Sequence, residues 1–300
     1  MTYGYERKYM KTSTEINSAA RSVGEEKAIE LIAKAGFDAW DFSMFKMISY
    51  DWGRKTFLPS PHELAGENYL AYARKLAHIG KECGIVCNQS HAPFPSTMPY
   101  MMPFLKRSVE CTAEAGGKIC VIHPDNFKSA AENAEMFLEL LPFAKDCGVK
   151  IAVENMWNWD DRKDEACFAA CMTPGDFKAH LDAVNDDYFV ACVDIGHCEM
   201  RGTGTSAVEM IRSLGSKVQA LHIHDNDRHH DSHKVPFTMD IDFPPIVDAL
   251  ADIGYDGYFT LECDAYLPNL KDMSIEDGIN VLAGAARKLA DMFDAKGTRK

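Results

Sequence analysis

The sequence lacks the features that mark several large classes of protein. It has no run of about 18 apolar residues, the length that a transmembrane helix requires. Residues 1–8 lack the apolar core of a signal peptide. No Gly-x-Gly-x-x-Gly or Gly-x-x-x-x-Gly-Lys-Ser/Thr motif follows a predicted strand, so the usual phosphate-binding loops are missing. We therefore expect a cytoplasmic protein with no membrane partner and no organic cofactor.

Positive charge is also scarce. The 300 residues include 32 Lys and Arg against 45 Asp and Glu, which gives a net charge of -13 and a pI of about 5.3. Nucleic acids and anionic membranes are bound through cationic surfaces. The acidic balance therefore argues against nucleic acid as a partner. The hydrophobic share of 46% and the charged share of 26% are ordinary for a globular protein.

Paired cysteine motifs are absent although the chain contains ten cysteines. Cys83 and Cys87 have three residues between them, as do Cys167 and Cys171. This scatter is unlike the spacing of a zinc ribbon or the disulfide framework of a small secreted domain. It predicts reduced thiols in a cytoplasmic protein.

What the sequence does have is a regular alternation of apolar, β-branched runs with amphipathic stretches. The runs predict strands at residues 9–12, 37–42, 84–91, 118–123, 149–154, 189–194, 218–222 and 258–262. The stretches between them predict helices at residues 23–35, 60–83, 103–115, 130–146, 174–184, 206–214, 243–253 and 274–293. Ser60, which precedes Pro61 and Glu63, is the predicted N-cap of the second helix.

The order of these elements predicts the fold. Strands that are apolar throughout indicate a parallel sheet covered by helices on both faces. Eight strand–helix units in a chain of this length predict an α/β fold, a (β/α)8 TIM barrel that forms a single domain over residues 1–300. A doubly wound open sheet is the alternative, and it lacks its usual glycine-rich loop here.

Residues that can bind a metal stand at the ends of the later strands. Any one of them is an ordinary strand end, but a TIM barrel opens the carboxyl ends of all its strands onto one face. Glu154 and Glu262 directly follow apolar segments, where a buried charge needs a partner or a cation. Imidazole and carboxylate together suit Zn²⁺, Mn²⁺, Co²⁺ or Fe²⁺, and a carboxylate-rich set favours Mn²⁺ or Mg²⁺. The strand-end residues are His91, His123, Glu154, Asp194, His222 and Glu262.

These residues lie within segments that resemble the xylose isomerase-like TIM barrels. The segments are Ala152-Val153-Glu154-Asn155, Val193-Asp194-Ile195-Gly196-His197, Leu221-His222-Ile223-His224-Asp225-Asn226-Asp227 and Thr260-Leu261-Glu262. That superfamily includes sugar phosphate isomerases and epimerases, ketose 3-epimerases, inosose-processing enzymes, hydroxypyruvate isomerases and endonuclease IV. The resemblance extends from Gly36 to Glu262, and its motifs are specific for the superfamily rather than for a substrate.

The resemblance implies roles for individual residues. One divalent ion, Mn²⁺, Zn²⁺, Co²⁺ or Mg²⁺, is expected on Glu154, Asp194, His222 and Glu262. The same two glutamates are expected to carry protons as catalytic residues. The expected substrate contacts are His197, His91, His123, His224 and Trp157, and Asp231 and His233 are candidate extra metal ligands.

The implied chemistry is isomerisation or epimerisation of a sugar, a sugar phosphate or a keto-polyol. A hydroxy-ketone carries a C–H bond next to its carbonyl that is too weakly acidic to break unaided. A divalent ion stabilises the enediolate as charge develops, while one carboxylate removes the proton and a second group returns it. A metal-assisted hydride shift is a further route for isomerisation. The resemblance also implies a homo-oligomer, a dimer or a tetramer.

Two alternatives remain. Endonuclease IV holds three zinc ions, and His91, His123, His197, Asp231 and His233 are plausible counterparts of its additional ligands. The net charge of -13 argues against that multi-zinc phosphoesterase, because a nuclease must hold a polyanion. The other alternative is a catalytically silent barrel that serves as a binding subunit, although the glutamate pair and His222 are present.

The histidine-rich segment after His222 leaves two further questions. His229 and His230 follow Asp227 and either belong to a solvated loop, the favoured reading, or bind a second ion. Many relatives have a glycine-containing turn after this segment, whereas residues 234–243 contain no glycine. We therefore expect a different turn conformation at this place.

Overall fold

The eight predicted strands form a single parallel sheet. The computed structural model describes residues 9–51, 53–96 and 98–297. The strands are β1 (Lys11–Glu15), β2 (Ala39–Ser43), β3 (Val86–His91), β4 (Ile119–Ile122), β5 (Lys150–Glu154), β6 (Phe189–Asp194), β7 (Val218–His222) and β8 (Tyr258–Leu261). Their order in the sheet is β7-β6-β5-β4-β3-β2-β1-β8, so that strands adjacent in the chain are adjacent in space.

β7 and β8, which stand at the two ends of that order, meet just beyond the end of β7. The N–H of Ile223 donates to Thr260 O at 2.9 Å, and the N–H of Glu262 donates to Ile223 O at 3.0 Å. This parallel bridge nearly closes the sheet into a barrel. The prediction of a single-domain TIM barrel is confirmed, and the open doubly wound sheet is excluded. The extent of the domain over residues 1–300 stays a prediction, because residues 1–8, 52, 97 and 298–300 lie outside the described residues.

Helices follow the strands and cover the outside of the barrel. Several of them begin with a side-chain cap: Ser129 forms a reciprocal capping box with Glu132, and Thr173, Asp194 and Ser206 each accept an N–H from the first turn. The helices are α1 (Asn17–Val23), α2 (Glu25–Lys34), α3 (Tyr69–Glu82), α4 (Met102–Glu114), α5 (Ala130–Asp146), α6 (Pro174–Val184), α7 (Ile195–Glu199), α8 (Ala207–Leu214), α9 (Phe243–Asp252) and α10 (Ile275–Gly297).

Two predicted helices differ from the structure. The helix predicted over residues 23–35 is α2, which begins at Glu25 because Val23 ends α1 and Gly24, with a φ of 80°, separates the two helices. The helix predicted from Ser60 begins only at Tyr69. Ser60 does not cap it, because its hydroxyl donates to Lys46 O at 2.6 Å. His62 instead caps a short 3-10 turn that ends at the extended residue Gly66.

The alternation of side chains along each strand separates two layers of the core. The larger layer packs between the sheet and the helices and includes Trp40 and Phe42. The barrel interior is apolar on one side, where a second cluster forms from Val121, Ala152, Val190, Cys192 and Ala220. The rest of the interior contains hydrogen-bonded polar side chains. Asn88 bridges Ser13 and Thr260, and Gln89 donates to Asp41 at 2.9 Å.

Candidate functional site

The strand-end residues meet at one mouth of the barrel. His91, Glu154, Asp194 and His222 are the last residues of their strands, while His123 and Glu262 stand one residue beyond theirs. Because all eight strands are parallel, these ends share one face. Five of the side chains form what we call the central group: His91, His123, Glu154, His222 and Glu262.

Glu154 is the hub of the central group. Its Oε1 lies 2.9 Å from Nδ1 of His222, and its Oε2 lies 3.1 Å from Nε2 of His123 and 3.5 Å from Nε2 of His91. Glu262 stands one residue beyond β8, and its Oε2 lies 3.4 Å from the same Nδ1 of His222. The two carboxylates therefore face one imidazole nitrogen, as a shared ion would require.

A second cluster lies beside the first. The outer group, as we call it, consists of His197, His224, Asp231 and His233. Oδ2 of Asp231 lies 3.0 Å from Nε2 of His233 and 3.4 Å from Nε2 of His197, and its Oδ1 lies 3.4 Å from Nε2 of His224. The rings of His224 and His233 stack at 4.0 Å. One carboxylate thus faces three imidazoles.

Asp194 stands between the two groups. It pairs in register with His222 on β7, and its Oδ1 lies 3.2 Å from Nε2 of His224 and accepts the N–H of His197 at 2.7 Å. Asn155 fixes this arrangement, because its amide exchanges hydrogen bonds with the backbone of Asp194 and its carbonyl accepts from Nδ1 of His197. A Cβ at Gly196 would overlap the ring of His224, so a glycine is required there.

The donor set fits a divalent cation. Oδ2 of Asp194 and Oδ1 of Asp231 are buried and have no hydrogen-bond partner among the described residues. Buried polar atoms normally have partners, and an ion is one way to supply them. Carboxylates with imidazoles suit Mn²⁺, Zn²⁺ and Co²⁺.

Their surroundings drive the two glutamates toward different protonation states. Burial, reinforced by the negative charge of Glu154, raises the pKa of Glu262 to about 8. Burial acts in the same direction on Glu154, but the charge of His222 and hydrogen bonds from His123, His222 and His91 hold its pKa well below the usual range. Paired groups with separated pKa values are typical of acid–base sites.

Two histidines of the site also differ in charge. Burial lowers the pKa of His123 to about 4, so its ring stays neutral and can accept a hydrogen bond or bind a cation. For His197, burial is outweighed by the carboxylates of Asp194 and Asp231, which raise the pKa to about 10. The outer group therefore holds a protonated imidazole as long as no cation replaces that proton.

A cavity of about 390 Å³ opens above both groups. His91, His123, Glu154, Trp157 and His197 line it, together with Glu262, Asp231 and His233. Nε1 of Trp157 donates to Oδ2 of Asp231 at 3.1 Å, which fixes the indole against the outer group. His224 is fully buried and is not among the lining residues, so its position favours contact with Asp194 and Asp231 over contact with a substrate.

A larger cavity of about 600 Å³ lies at the opposite mouth of the barrel, between the amino-terminal ends of β3, β4, β7 and β8. Neither the central nor the outer group contributes to its lining. Active sites of TIM barrels form at the carboxyl ends of the strands. The smaller cavity is therefore the candidate functional site.

Sequence reasoning missed Asp41, which lies beneath the central group. Oδ2 of Asp41 is 3.4 Å from Nε2 of His222 and accepts from Nε2 of Gln89 at 2.9 Å. The side chain is fully buried, on the inward face of β2. A signal was present, since Asp41 interrupts the apolar strand between Trp40 and Phe42. The strand-end pattern did not include it because it is not a terminal residue.

The segment after His224 belongs partly to the site and partly to the surface. Asp227 accepts the N–H groups of His229 and His230, and the side chain of His230 is 60% exposed and stacks on Trp159. The glycine-free turn is held by hydrogen bonds to Asp225. The buried carboxylate of Asp225 accepts three backbone N–H groups from residues 238–241, and Phe237 adopts a φ of 71°.

A parallel barrel with a carboxylate–imidazole cluster at its carboxyl mouth defines the class of protein. The chain belongs to the xylose isomerase-like TIM barrel family, whose model matches residues 29–284. It is similar to the uncharacterised protein MJ1311 of Methanocaldococcus jannaschii, with 26% identity over 253 residues and 78% of each chain covered. Among the described residues, no helix has the length and apolar character needed to cross a membrane.

The structural neighbours are sugar epimerases and isomerases. A D-tagatose 3-epimerase-like protein superposes with a TM-score of 0.71 at 20% identity, covering 96% of this chain and 100% of that chain. The 3-keto-D-glucoside 4-epimerase YcjR of E. coli superposes with a TM-score of 0.65 at 15% identity, covering 93% and 98%. At such identities the likeness shows the fold.

Proposed function

We propose that the chain is a divalent-metal-dependent isomerase or epimerase of carbohydrates. The observation that carries the proposal is the pair Glu154 and Glu262, whose carboxylates approach Nδ1 of His222 at 2.9 and 3.4 Å beneath the cavity. The residues that would hold the ion are Glu154, Asp194, His222 and Glu262, with Asp231 and His233 as candidate extra ligands. A bound Mn²⁺, Zn²⁺, Co²⁺ or Mg²⁺ supplies Lewis acidity that stabilises an enediolate.

The glutamates would move the proton. Glu154, held ionised by the imidazoles around it, suits the removal of a proton from the carbon beside the carbonyl. Glu262 lines the same cavity and suits its return. Such acid–base steps contribute about 10²–10⁴-fold to a rate. His197, His91, His123 and Trp157 line the cavity at positions from which they can orient hydroxyl groups and stack on the sugar ring.

The charge of the cavity favours an unphosphorylated substrate. None of the described residues that line it is a lysine or an arginine. A phosphate group normally requires such donors or a helix amino terminus.

All ten cysteines are free thiols, which supports a cytoplasmic location in the reducing compartment. A single domain over residues 1–300 and a dimeric or tetrameric assembly remain part of the proposal.

One observation favours a second candidate, a multi-metal phosphoesterase like endonuclease IV. The outer group, together with Asp194 and the central group, supplies enough ligands for more than one ion. The net charge of -13 and the absence of lysine and arginine from the described lining of the cavity argue against a polyanionic substrate. The first candidate is therefore preferred.

A substrate screen tests the proposal. The purified protein, loaded separately with Mn²⁺, Mg²⁺, Co²⁺ or Zn²⁺, is incubated in deuterated water with ketoses, inososes and 3-keto sugars. We expect metal-dependent conversion with deuterium at the carbon next to the carbonyl. Conversion without deuterium would indicate a hydride shift instead. If both conversion and exchange persist in the variants Glu154→Gln and Glu262→Gln, the proposed acid–base pair is contradicted.

A screen with phosphate esters distinguishes the alternatives. Hydrolysis of bis(p-nitrophenyl) phosphate or of abasic DNA, with no conversion of any sugar, would establish the phosphoesterase. A protein that binds sugars and metal but converts none of them would be a silent barrel that acts as a binding subunit.

A further inference from the structure

One side of the candidate cavity consists of three phenylalanines and a proline that the proposed chemistry does not use. We call the set Phe45, Phe94, Pro95 and Phe127 the aromatic shelf; all four line the cavity. The shelf starts at the central group, since Phe45 packs edge-on against His91 at 4.9 Å and Phe94 stacks on His123 at 4.9 Å. The rings of Phe45 and Phe94 are 5.1 Å apart.

The members of the shelf differ in exposure. His91 is buried and Phe45 is half-buried, whereas Phe94 is 45% exposed and Phe127 is 84% exposed. Phe94 and Phe127 both line the cavity, and large apolar side chains that are exposed at the edge of a cavity mark a binding surface. The solvent-facing end of the shelf therefore has room for an apolar group that covers it.

Phe127 is held in its exposed position by its own loop. Its N–H donates to Oδ1 of Asp125. The side-chain amide of Asn133 on α5 accepts the N–H of Asp125 at its Oδ1 and donates from its Nδ2 to the carbonyl of Asp125. The side chain of Asn126 donates to Trp157 O at 3.2 Å, which ties this loop to the next one. The exposed ring is thus presented by a hydrogen-bonded turn rather than by a free end.

The charges of the cavity restrict what can lie on the shelf. Its charged lining residues are carboxylates and histidines, and none of the described lining residues is a lysine or an arginine. An anionic substituent would meet the carboxylates of Asp125 and Asp264 with no lysine or arginine beside it, at a cost in affinity. An uncharged apolar substituent would instead cover aromatic rings that water otherwise contacts.

We infer that the substrate is an uncharged sugar that carries an apolar substituent, an aryl or alkyl group that lies on the aromatic shelf. The inference rests on the proposed function for the placement of the sugar at the glutamate pair. It adds that specificity comes from the shelf, and that a free monosaccharide would leave the outer rings uncovered.

Calorimetric titration of the full-length protein with phenyl β-D-glucoside and methyl β-D-glucoside tests the inference. The two probes differ only in the group that would lie on the shelf. We expect the phenyl compound to bind about tenfold more tightly, the effect of one good aromatic contact. The double variant F94A/F127A should remove this difference. Tyr100→Ala is the matched control, because Tyr100 is also 84% exposed but does not line the cavity.

Three results would overturn the inference. The first is equal binding of the two probes, including no binding of either. The second is a phenyl preference that survives in F94A/F127A. The third is its equal loss in Tyr100→Ala. If F94A/F127A dissociates an oligomer in sedimentation experiments and leaves the phenyl preference intact, the shelf is an interface between copies of the chain and the inference is wrong.

Binding is measured without turnover, so failure of the inference and failure of the proposed function are distinguishable. A phenyl preference that depends on the shelf, in a protein that converts no sugar, would remove the proposed function alone. Metal-dependent deuterium exchange on free ketoses, without a phenyl preference, would remove the inference alone.

Discussion

The central and outer groups are built from similar residue types but differ in composition and support. The central group combines two carboxylates with three imidazoles at or just beyond the ends of barrel strands. The outer group combines one carboxylate with three imidazoles, and three of its four members come from the segment after β7. Rigid strands position groups more precisely than loops do. The comparison supports the proposal that the central group, rather than the outer group, transfers the proton.

The largest expected effect comes from Glu154→Gln. The amide cannot remove a proton and cannot balance the imidazoles of His91, His123 and His222. We expect exchange of the substrate C–H with solvent deuterium to fall by about 10²–10⁴-fold, with the fold retained. NMR measures the exchange and circular dichroism checks the fold. Exchange at the wild-type rate would remove Glu154 from the proposed role.

A smaller effect is expected from Asp41→Asn. Asp41 contacts Nε2 of His222 and can orient the ring so that Nδ1 faces the two glutamates. Loss of such outer carboxylates typically weakens metal binding by 10–100-fold, and we expect Mn²⁺ affinity to fall within about this range. Calorimetry measures it. Unchanged affinity would make Asp41 a residue of the barrel interior only.

Asp231→Asn sharpens the comparison between the two groups. If the central group carries the reaction, we expect activity to fall by less than about tenfold, well below the effect of a lost acid–base group. The central ion should remain bound, as elemental analysis would show. Loss of a second ion per chain would instead make the outer group a metal centre and would favour the phosphoesterase.

The smallest effect is expected from His230→Ala. The side chain of His230 is 60% exposed, and its contacts are Asp227, His229 and Trp159. Surface substitutions of this kind change the free energy of unfolding by at most about 0.5 kcal/mol. Thermal denaturation and the exchange assay should both give wild-type values. A clear loss of activity would place the loop after Asp227 within the site.

The sequence predicts much of the barrel because its strands are apolar throughout and its helices are amphipathic. The alternation also predicts which residues end each strand, and the parallel arrangement brings them together. The start of α3 was predicted wrongly, because the hydroxyl of Ser60 donates to Lys46 O and the 3-10 turn that follows His62 ends at Gly66. Local capping signals do not reveal such competing tertiary contacts.

The candidate site was only partly predictable for similar reasons. Asp41 belongs to the site because it contacts His222. His222 lies five strands further along the chain, and the two residues are adjacent only in the barrel interior. The shelf residue Phe127 is an ordinary loop aromatic in the sequence, and only its position at the cavity gives it significance. The separated pKa values of Glu154 and Glu262 arise from burial and neighbouring charges that the sequence does not display.

Metal binding by Glu154, Asp194, His222 and Glu262 is the central claim, and titration of chelator-treated protein with Mn²⁺ tests it most directly. The account predicts micromolar or tighter binding in the wild-type protein, a marked loss in His222→Ala, and wild-type binding in His230→Ala. Bound metal would supply the partners that the buried carboxylate oxygens lack within the described structure. A purified protein that contains no divalent ion and binds neither Mn²⁺, Co²⁺, Zn²⁺ nor Mg²⁺ at micromolar concentration would contradict the account.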